Sequence, residues 1–374
     1  MKKIAFIIQL FQDKNFHGGG EKLFYKLIDH LIKNNYVVDI YCSKSNVSEF
    51  SGINKIVIVD KPYKHTDPEI MEDFYEEAER LIKVENYDFV ISENITPPVD
   101  IAFLQGHSLV HRQRKLKSLL ESFLYNFRPV KIKRIKYQQK WFEQGYGRTF
   151  VVSNILKQDI IDNFNINSEK ISVIYPGVDI PENAEFINIP NITPNDTLTF
   201  GLAAPGFKIK GGYVFIKALK ILKDKGLNFK AKIIYPKFKK NLWLMNLIKF
   251  YQIDKNIEFL PFQENMQDFY NSVNWVVIPS LEDTFNLVAL EAMANKKPCI
   301  ISSYAGASEI IQDGTNGLIF NMQENSSQNL ADKMIFAINN PNNIAEYSKN
   351  AFETAKIYSW SKTCEEFIQN LLKL

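Results

Sequence analysis

The stretch Pro279-Ser280-Leu281-Glu282-Asp283-Thr284-Phe285-Asn286 lies between an apolar run, Trp275 to Ile278, and a segment with helical spacing of Leu287, Leu290 and Ala294. A continuous apolar run that stops at a proline reads as a buried parallel strand. The helix ends where Asn295-Lys296-Lys297-Pro298 breaks it, and Cys299-Ile300-Ile301 starts another strand. In a strand–loop–helix–strand unit, ligands bind beyond the carboxyl ends of the strands. There the new helix offers free N–H groups and the positive end of its dipole. Two carboxylates beside such an anion site are out of place unless they hold hydroxyls. Asp283, in the loop, can hold sugar hydroxyls, and Glu291, one turn into the helix, can accept both hydroxyls of a ribose. Together they suggest a sugar nucleotide; the plainer alternative is a capping acid and a surface glutamate.

Three more groups follow predicted strands. Gly18-Gly19-Gly20-Glu21 opens a helix after the first strand. Without side chains its backbone N–H groups can approach a phosphate or a sugar, although a glycine run also serves as a simple turn. Phe207-Lys208-Ile209-Lys210-Gly211-Gly212 places two cations after the first strand of the second half, or merely a solvated lysine pair. Gln105-Gly106-His107-Ser108 puts an imidazole at a strand end, with His111 four residues on. A neutral imidazole there can donate to a sugar or orient an acceptor, or it can be a satisfied structural residue.

These residues need a scaffold of some size. At 374 residues the chain suits two domains, and 45% hydrophobic with 23% charged residues is ordinary for a globular protein. The apolar stretch after Met1-Lys2-Lys3 is too short for a signal peptide and reads as a strand. No run approaches the ~20 apolar residues that span a bilayer. Cys42, Cys299 and Cys364 are widely spaced, which suggests buried thiols in a reducing, cytoplasmic setting, and no Cys/His cluster has zinc spacing. The net charge of +3 hides an asymmetry: eleven acids against two Lys/Arg between His65 and Asp100, and eleven Lys/Arg against two acids between His111 and Arg148.

Strands and helices alternate along both halves. Ile4–Ile8, Gly18–Asn34 and Val37–Cys42 make an opening β-α-β unit, and Leu198–Ala203, Gly212–Gly226 and Phe229–Tyr235 make a second. The alternation predicts doubly wound parallel sheets. Pro181–Thr197, with three prolines and four asparagines, is the predicted linker. The expected boundaries are 1–180, linker 181–197, 198–358, and a terminal helix in 359–374.

The spacing from Asp283 to Glu291 resembles the Glu-x7-Glu signature of retaining nucleotide-sugar glycosyltransferases, family 4 (glycosyl transferases group 1). Asp283 stands where the family usually has glutamate, and Asn286 where it usually has glycine. Gly18–Glu21 resembles the family's Gly-Gly-x-Glu, and Phe207–Gly212 its Arg…Lys-Gly motif, with Lys208 in place of the arginine. Gly306-Ala307-Ser308-Glu309 and Pro176-Gly177-Val178-Asp179 also resemble family segments, as does a terminal helix after Trp360. The resemblance implies an α/β fold of two Rossmann-like doubly wound domains facing a cleft, the GT-B architecture. It implies His107, Lys210 and Asp283 as catalytic residues, and Gly19, Gly20, Lys208, Lys210, Glu282, Asp283, Thr284, Phe285, Asn286, Leu287 and Glu291 as donor-binding ones. Either Glu282 or Asp283 takes the first-acid role.

The function so implied is retaining transfer of a hexose-type sugar from a nucleoside-diphosphate sugar to an acceptor; the basic amphipathic segment 112–148 points to a saccharide or lipid-linked saccharide acceptor, in cell-envelope polysaccharide or lipopolysaccharide synthesis. No cofactor is expected beyond that donor substrate, and no metal, because Asp-x-Asp is absent. Residues 112–148 interleave basic side chains with Leu116, Leu119, Leu120, Phe123, Leu124, Phe127, Trp141 and Phe142. That pattern predicts peripheral contact with the anionic inner face of the cytoplasmic membrane, or else a helix packed on its domain. Nucleic acid is not expected as a partner. Rival functions are a sugar-nucleotide epimerase or phosphorylase of the same architecture, and a nucleotide-sugar-binding protein with weakened catalysis.

Overall fold

A computed structural model describes all residues except 13–18, 48–50, 61–67, 96–98, 109–110, 112–128, 145–146, 183, 185–192, 194–195 and 264. The chain forms two compact units, one of Met1–Pro176 with Trp360–Leu374 and one of Gly177–Ser359. Most of the predicted linker lies outside the described residues.

The first unit comprises β1 (Lys3–Ile7), β2 (Leu10–Phe11), α1 (Gly19–Lys33), β3 (Val37–Cys42), β4 (Lys44–Ser45), β5 (Lys55–Ile58), α2 (Pro68–Ile82), β6 (Phe89–Ser92), β7 (Ile101–Leu104), α3 (Pro129–Gln144), β8 (Arg148–Val151), α4 (Asn154–Asn163) and β9 (Ile171–Val173). The helix Trp360–Leu372 also belongs to it. Seven strands form one sheet in the order β5-β3-β1-β6-β7-β8-β9, every neighbouring pair parallel. Strand order reverses between β1 and β6, so a crevice for ligands opens beyond their carboxyl ends.

Aromatic side chains fill the core. Phe24 on α1 meets Phe6 and Phe103 edge-on, and Phe103 meets Phe150. Phe367 of the C-terminal helix stacks on Phe103 at 6.1 Å and touches Phe150 at 5.7 Å. Thr363 Oγ1 donates to the Tyr175 carbonyl at 3.0 Å, which fixes that helix where the chain leaves the unit. Trp141 and Phe142, on the basic segment, are both buried: Trp141 Nε1 donates to Thr149 Oγ1, and the Phe142 ring lies 4.6 Å from that of Phe164. These two serve the core; the apolar positions from Leu116 to Phe127 lie outside the described residues.

The second unit comprises β10 (Leu198–Ala203), α5 (Gly212–Asp224), β11 (Phe229–Ile234), α6 (Leu242–Phe250), β12 (Ile257–Leu260), α7 (Met266–Asn271), β13 (Trp275–Ile278), α8 (Leu287–Ala294), β14 (Cys299–Ser302), β15 (Gly317–Phe320), α9 (Ser326–Asn339) and α10 (Ile344–Ile357). Its six strands are all parallel, in the order β12-β11-β10-β13-β14-β15. The switch point falls between β10 and β13, whose four residues Trp275–Ile278 are wholly buried. All three cysteines are buried and free of disulfides. Burial pushes the Cys42 and Cys364 thiols up to about 12, so they behave as small core residues. Among the described residues no helix is long and apolar enough to cross a membrane.

Candidate active site

The loops after β10 and β13 meet at the switch point of the second unit. Leu281 N donates to the Ile209 carbonyl at 2.9 Å. Gly211 has φ +73°, and a Cβ there would lie 1.6 Å from the Pro279 carbonyl oxygen. Only glycine permits that backbone-to-backbone approach. The approach brings Lys210 Nζ to 2.5 Å from Asp283 Oδ2. The same oxygen accepts from Asn286 Nδ2 at 2.8 Å and from Ser280 Oγ at 3.3 Å. Asp283 is therefore held by three donors from two loops.

Asn286 has φ +84° and ψ +86°, a left-handed conformation open to glycine and, among side-chain residues, most readily to asparagine. Asparagine meets this backbone demand, as a glycine would. The amide of Asn286 is turned to Asp283, and no side chain caps α8. The Ala289 N–H returns to the Asn286 carbonyl at 3.2 Å, and no side chain covers the positive dipole end of the helix.

A third loop braces the site. Asp283 N donates to the Tyr304 carbonyl, Gly306 N to the Asp283 carbonyl at 2.9 Å, and Ala307 N to the Phe285 carbonyl at 2.7 Å. The ring of Phe285 is buried, 3% exposed, so this residue anchors the loop through core packing. Glu282, Thr284 and Leu287 are half-buried around it. Glu291, half-buried on α8, accepts from the hydroxyl of Tyr270 on α7 at 3.1 Å. Burial and the Glu291 charge drive the Tyr270 phenol well above its ordinary range, so it remains a donor and orients that carboxylate. Lys208 is exposed and has no ion pair among the described residues.

His107, Gly19 and Gly20 lie in the first unit. A Cβ on Gly20 would sit 2.8 Å from Gln105 Oε1, and Gln105 Nε2 donates to the Gly20 carbonyl at 3.3 Å. The small residue there admits a glutamine. His107 and His111 stack with centroids 4.2 Å apart and planes 10° apart. Their Nδ1 atoms face the two oxygens of Asp159, at 3.4 Å and 2.6 Å. Burial alone would push the Asp159 carboxyl up, but hydrogen bonds with both imidazoles and the Ser108 amide outweigh it and hold the carboxyl well below the usual range. Beside them a cavity of about 120 Å³ is lined by Glu93, Gln105, His107, Ser108 and Gln138 among others. Burial pushes the Glu93 carboxyl up to about 7, against the Gln9 amide that hydrogen-bonds it.

Of the residues singled out from the sequence, Lys210 and Asp283 meet directly, while Tyr270 beside Glu291 and Asp159 beside the two histidines were not among them. Asp159 lies fifty-two residues from His107 on an unremarkable helix turn, so no local pattern marks it.

Two family models match: Glycosyltransferase Family 4 over residues 17–182, and Glycosyl transferases group 1 over residues 190–354. A similar sequence, an uncharacterized glycosyltransferase MJ1178 of Methanocaldococcus jannaschii, is 27% identical over 234 residues, 61% of this chain; the match spans only 60% of that protein's length. Among solved structures, WaaG, a glycosyltransferase involved in lipopolysaccharide biosynthesis, superposes with TM-score 0.77 at 17% identity, over 97% of this chain and 98% of that one. Anabaena HepE in complex with UDP-glucose superposes with TM-score 0.69 at 16% identity over the full length of both chains. With a family model on each half and a fold shared throughout with GT-B glycosyltransferases, the chain belongs to the group 1, family 4 type of glycosyltransferase.

Proposed function

We propose that this glycosyltransferase takes its sugar from a nucleoside-diphosphate donor held by the second unit, and transfers it with retention to a saccharide or lipid-linked saccharide. The observation that carries the proposal is the cluster of Lys210, Asp283 and Asn286 beside the uncapped end of α8. An ammonium has three N–H groups; Asp283 takes one, which leaves the others for phosphate oxygens. Together with the dipole of α8 they stabilise the charge that grows on the departing diphosphate. Asp283, shared by three donors, is placed to exchange one of them for a sugar hydroxyl. Glu291, steadied by Tyr270, accepts the ribose hydroxyls. The binding of UDP-glucose by HepE supports a donor of this class.

In the first unit the imidazoles of His107 and His111, aligned by Asp159, supply the acceptor side. The proposed setting is cell-envelope glycan synthesis at the inner face of the cytoplasmic membrane, with 112–148 as a peripheral contact. The likeness to WaaG and the basic composition of that segment support it.

A screen of sugar nucleotides for nucleoside-diphosphate release, with and without a chelator, tests the donor. The chelator is expected to leave turnover unchanged. Lys210→Ala is expected to lower turnover ~10²–10³-fold with an unaltered melting temperature, the size of loss seen when one oxyanion donor is removed. Near-normal turnover in that variant refutes the assignment.

A further inference from the structure

The helix α6 departs from the usual rule for a surface helix, which keeps large apolar residues inward. Leu244 and Ile248 do face the core. The outward positions, however, carry Leu242, Trp243 and Phe250, which are 69%, 61% and 79% exposed, together with the exposed Asn246 and Lys249. Neighbouring α5 shows the ordinary arrangement, with Lys217, Lys223 and Asp224 exposed. Trp243 keeps one edge against Tyr213, at 5.2 Å between centroids, which fixes the indole without covering it.

Charge within this stretch of chain is of one sign. The segment from Lys225 to Ile253 contains seven lysines and no acid. Lys237, Lys239, Lys240 and Lys249, which frame the apolar residues, are exposed and form no ion pair among the described residues. Protein interfaces deplete lysine at their centres, whereas apolar side chains flanked by unpaired lysines match the acyl boundary and headgroups of an anionic leaflet.

We propose that the outer face of α6, Leu242, Trp243 and Phe250 framed by Lys237, Lys239, Lys240 and Lys249, docks on an anionic lipid bilayer. The helix lies in the plane of the interface, its aromatic side chains entering the headgroup region and its lysines meeting lipid phosphates. This surface is on the second unit, distinct from the 112–148 segment, and does not depend on the donor assignment.

The chain supplies its own reporter. Of its four tryptophans, Trp141, Trp275 and Trp360 are 3%, 2% and 6% exposed, so Trp243 alone starts in water. The full-length protein is mixed with phosphatidylcholine vesicles with or without phosphatidylglycerol, then followed by co-sedimentation and tryptophan emission. Binding to the anionic vesicles with a blue shift is expected; Trp243→Phe should abolish the shift. Lys239→Glu/Lys240→Glu should weaken binding by more than tenfold, at about fivefold per lysine, while nucleoside-diphosphate release in solution is unchanged. Vesicle binding without an emission change overturns the α6 surface and leaves 112–148 as the contact. Absence of binding, or equal binding to both vesicle types, overturns it as well. None of these outcomes touches the donor assignment, which nucleoside-diphosphate release reads separately.

Discussion

Glu93 stands just beyond β6, at the switch point of the first unit, where Gln9 N donates to its Oε1 at 2.7 Å. Burial, chiefly, and the nearby Glu21 charge raise its carboxyl to about 7 from an ordinary 4.5. The folded protein therefore holds a proton there that the unfolded chain releases at lower pH. The stability this contributes is full below the unfolded value and fades as pH rises through 7. Glu93→Gln keeps the acceptor for Gln9 and removes the titration. Its melting temperature should exceed the parent's by an amount that grows between pH 5 and pH 7.5 and then levels off. A gain independent of pH in calorimetric scans would contradict the buried-charge account. No sequence pattern announces Glu93, because a carboxylate's affinity for protons depends on how much water its neighbours exclude.

At the scale of elements, the Lys210–Asp283 cluster depends on how closely two loops approach. Gly211 and Gly226 both have left-handed backbones, φ +73° and +69°, but a Cβ on Gly226 meets nothing within 4 Å. Alanine at Gly226 therefore costs backbone strain alone, ~1 kcal/mol, and should leave turnover intact. Alanine at Gly211 must in addition push Pro279 away, which separates Lys210 from Asp283. Turnover should fall more than ~10-fold, the scale on which small misplacements of reacting groups act. Steady-state assays of the pair separate strain from displacement. The strands that carry these loops were legible from their apolar runs: Leu198–Ala203, Trp275–Ile278 and Cys299–Ser302 are strands where such runs stand. The small parallel pair β2–β4, two residues each, was not, since two residues carry no period.

At the scale of the molecule, each unit keeps its own core, and the C-terminal helix belongs to the unit that the chain builds first. Phe367 is fully buried against Phe103 and Phe150. Phe367→Ala should cost that unit ~3–5 kcal/mol, a fall of roughly 10 °C in its transition. Calorimetry should show the transition of the second unit unmoved; a joint shift of both would mean that the helix stabilises more than the first unit.

Strand and helix order, the pairing of acid with acid across eight residues and of lysine with glycine, and hence the family, were all present in the chain itself, because they are local patterns of polarity and spacing. Asn286 shows the limit. Its departure from glycine is visible in the sequence, but its left-handed backbone and its hydrogen bond to Asp283 are not. Likewise the pairing of Lys210 with Asp283, of Tyr270 with Glu291, and of two histidines with Asp159 joins residues tens of positions apart. Such contacts are decided by where the sheets deliver their loops, and only the folded chain computes that.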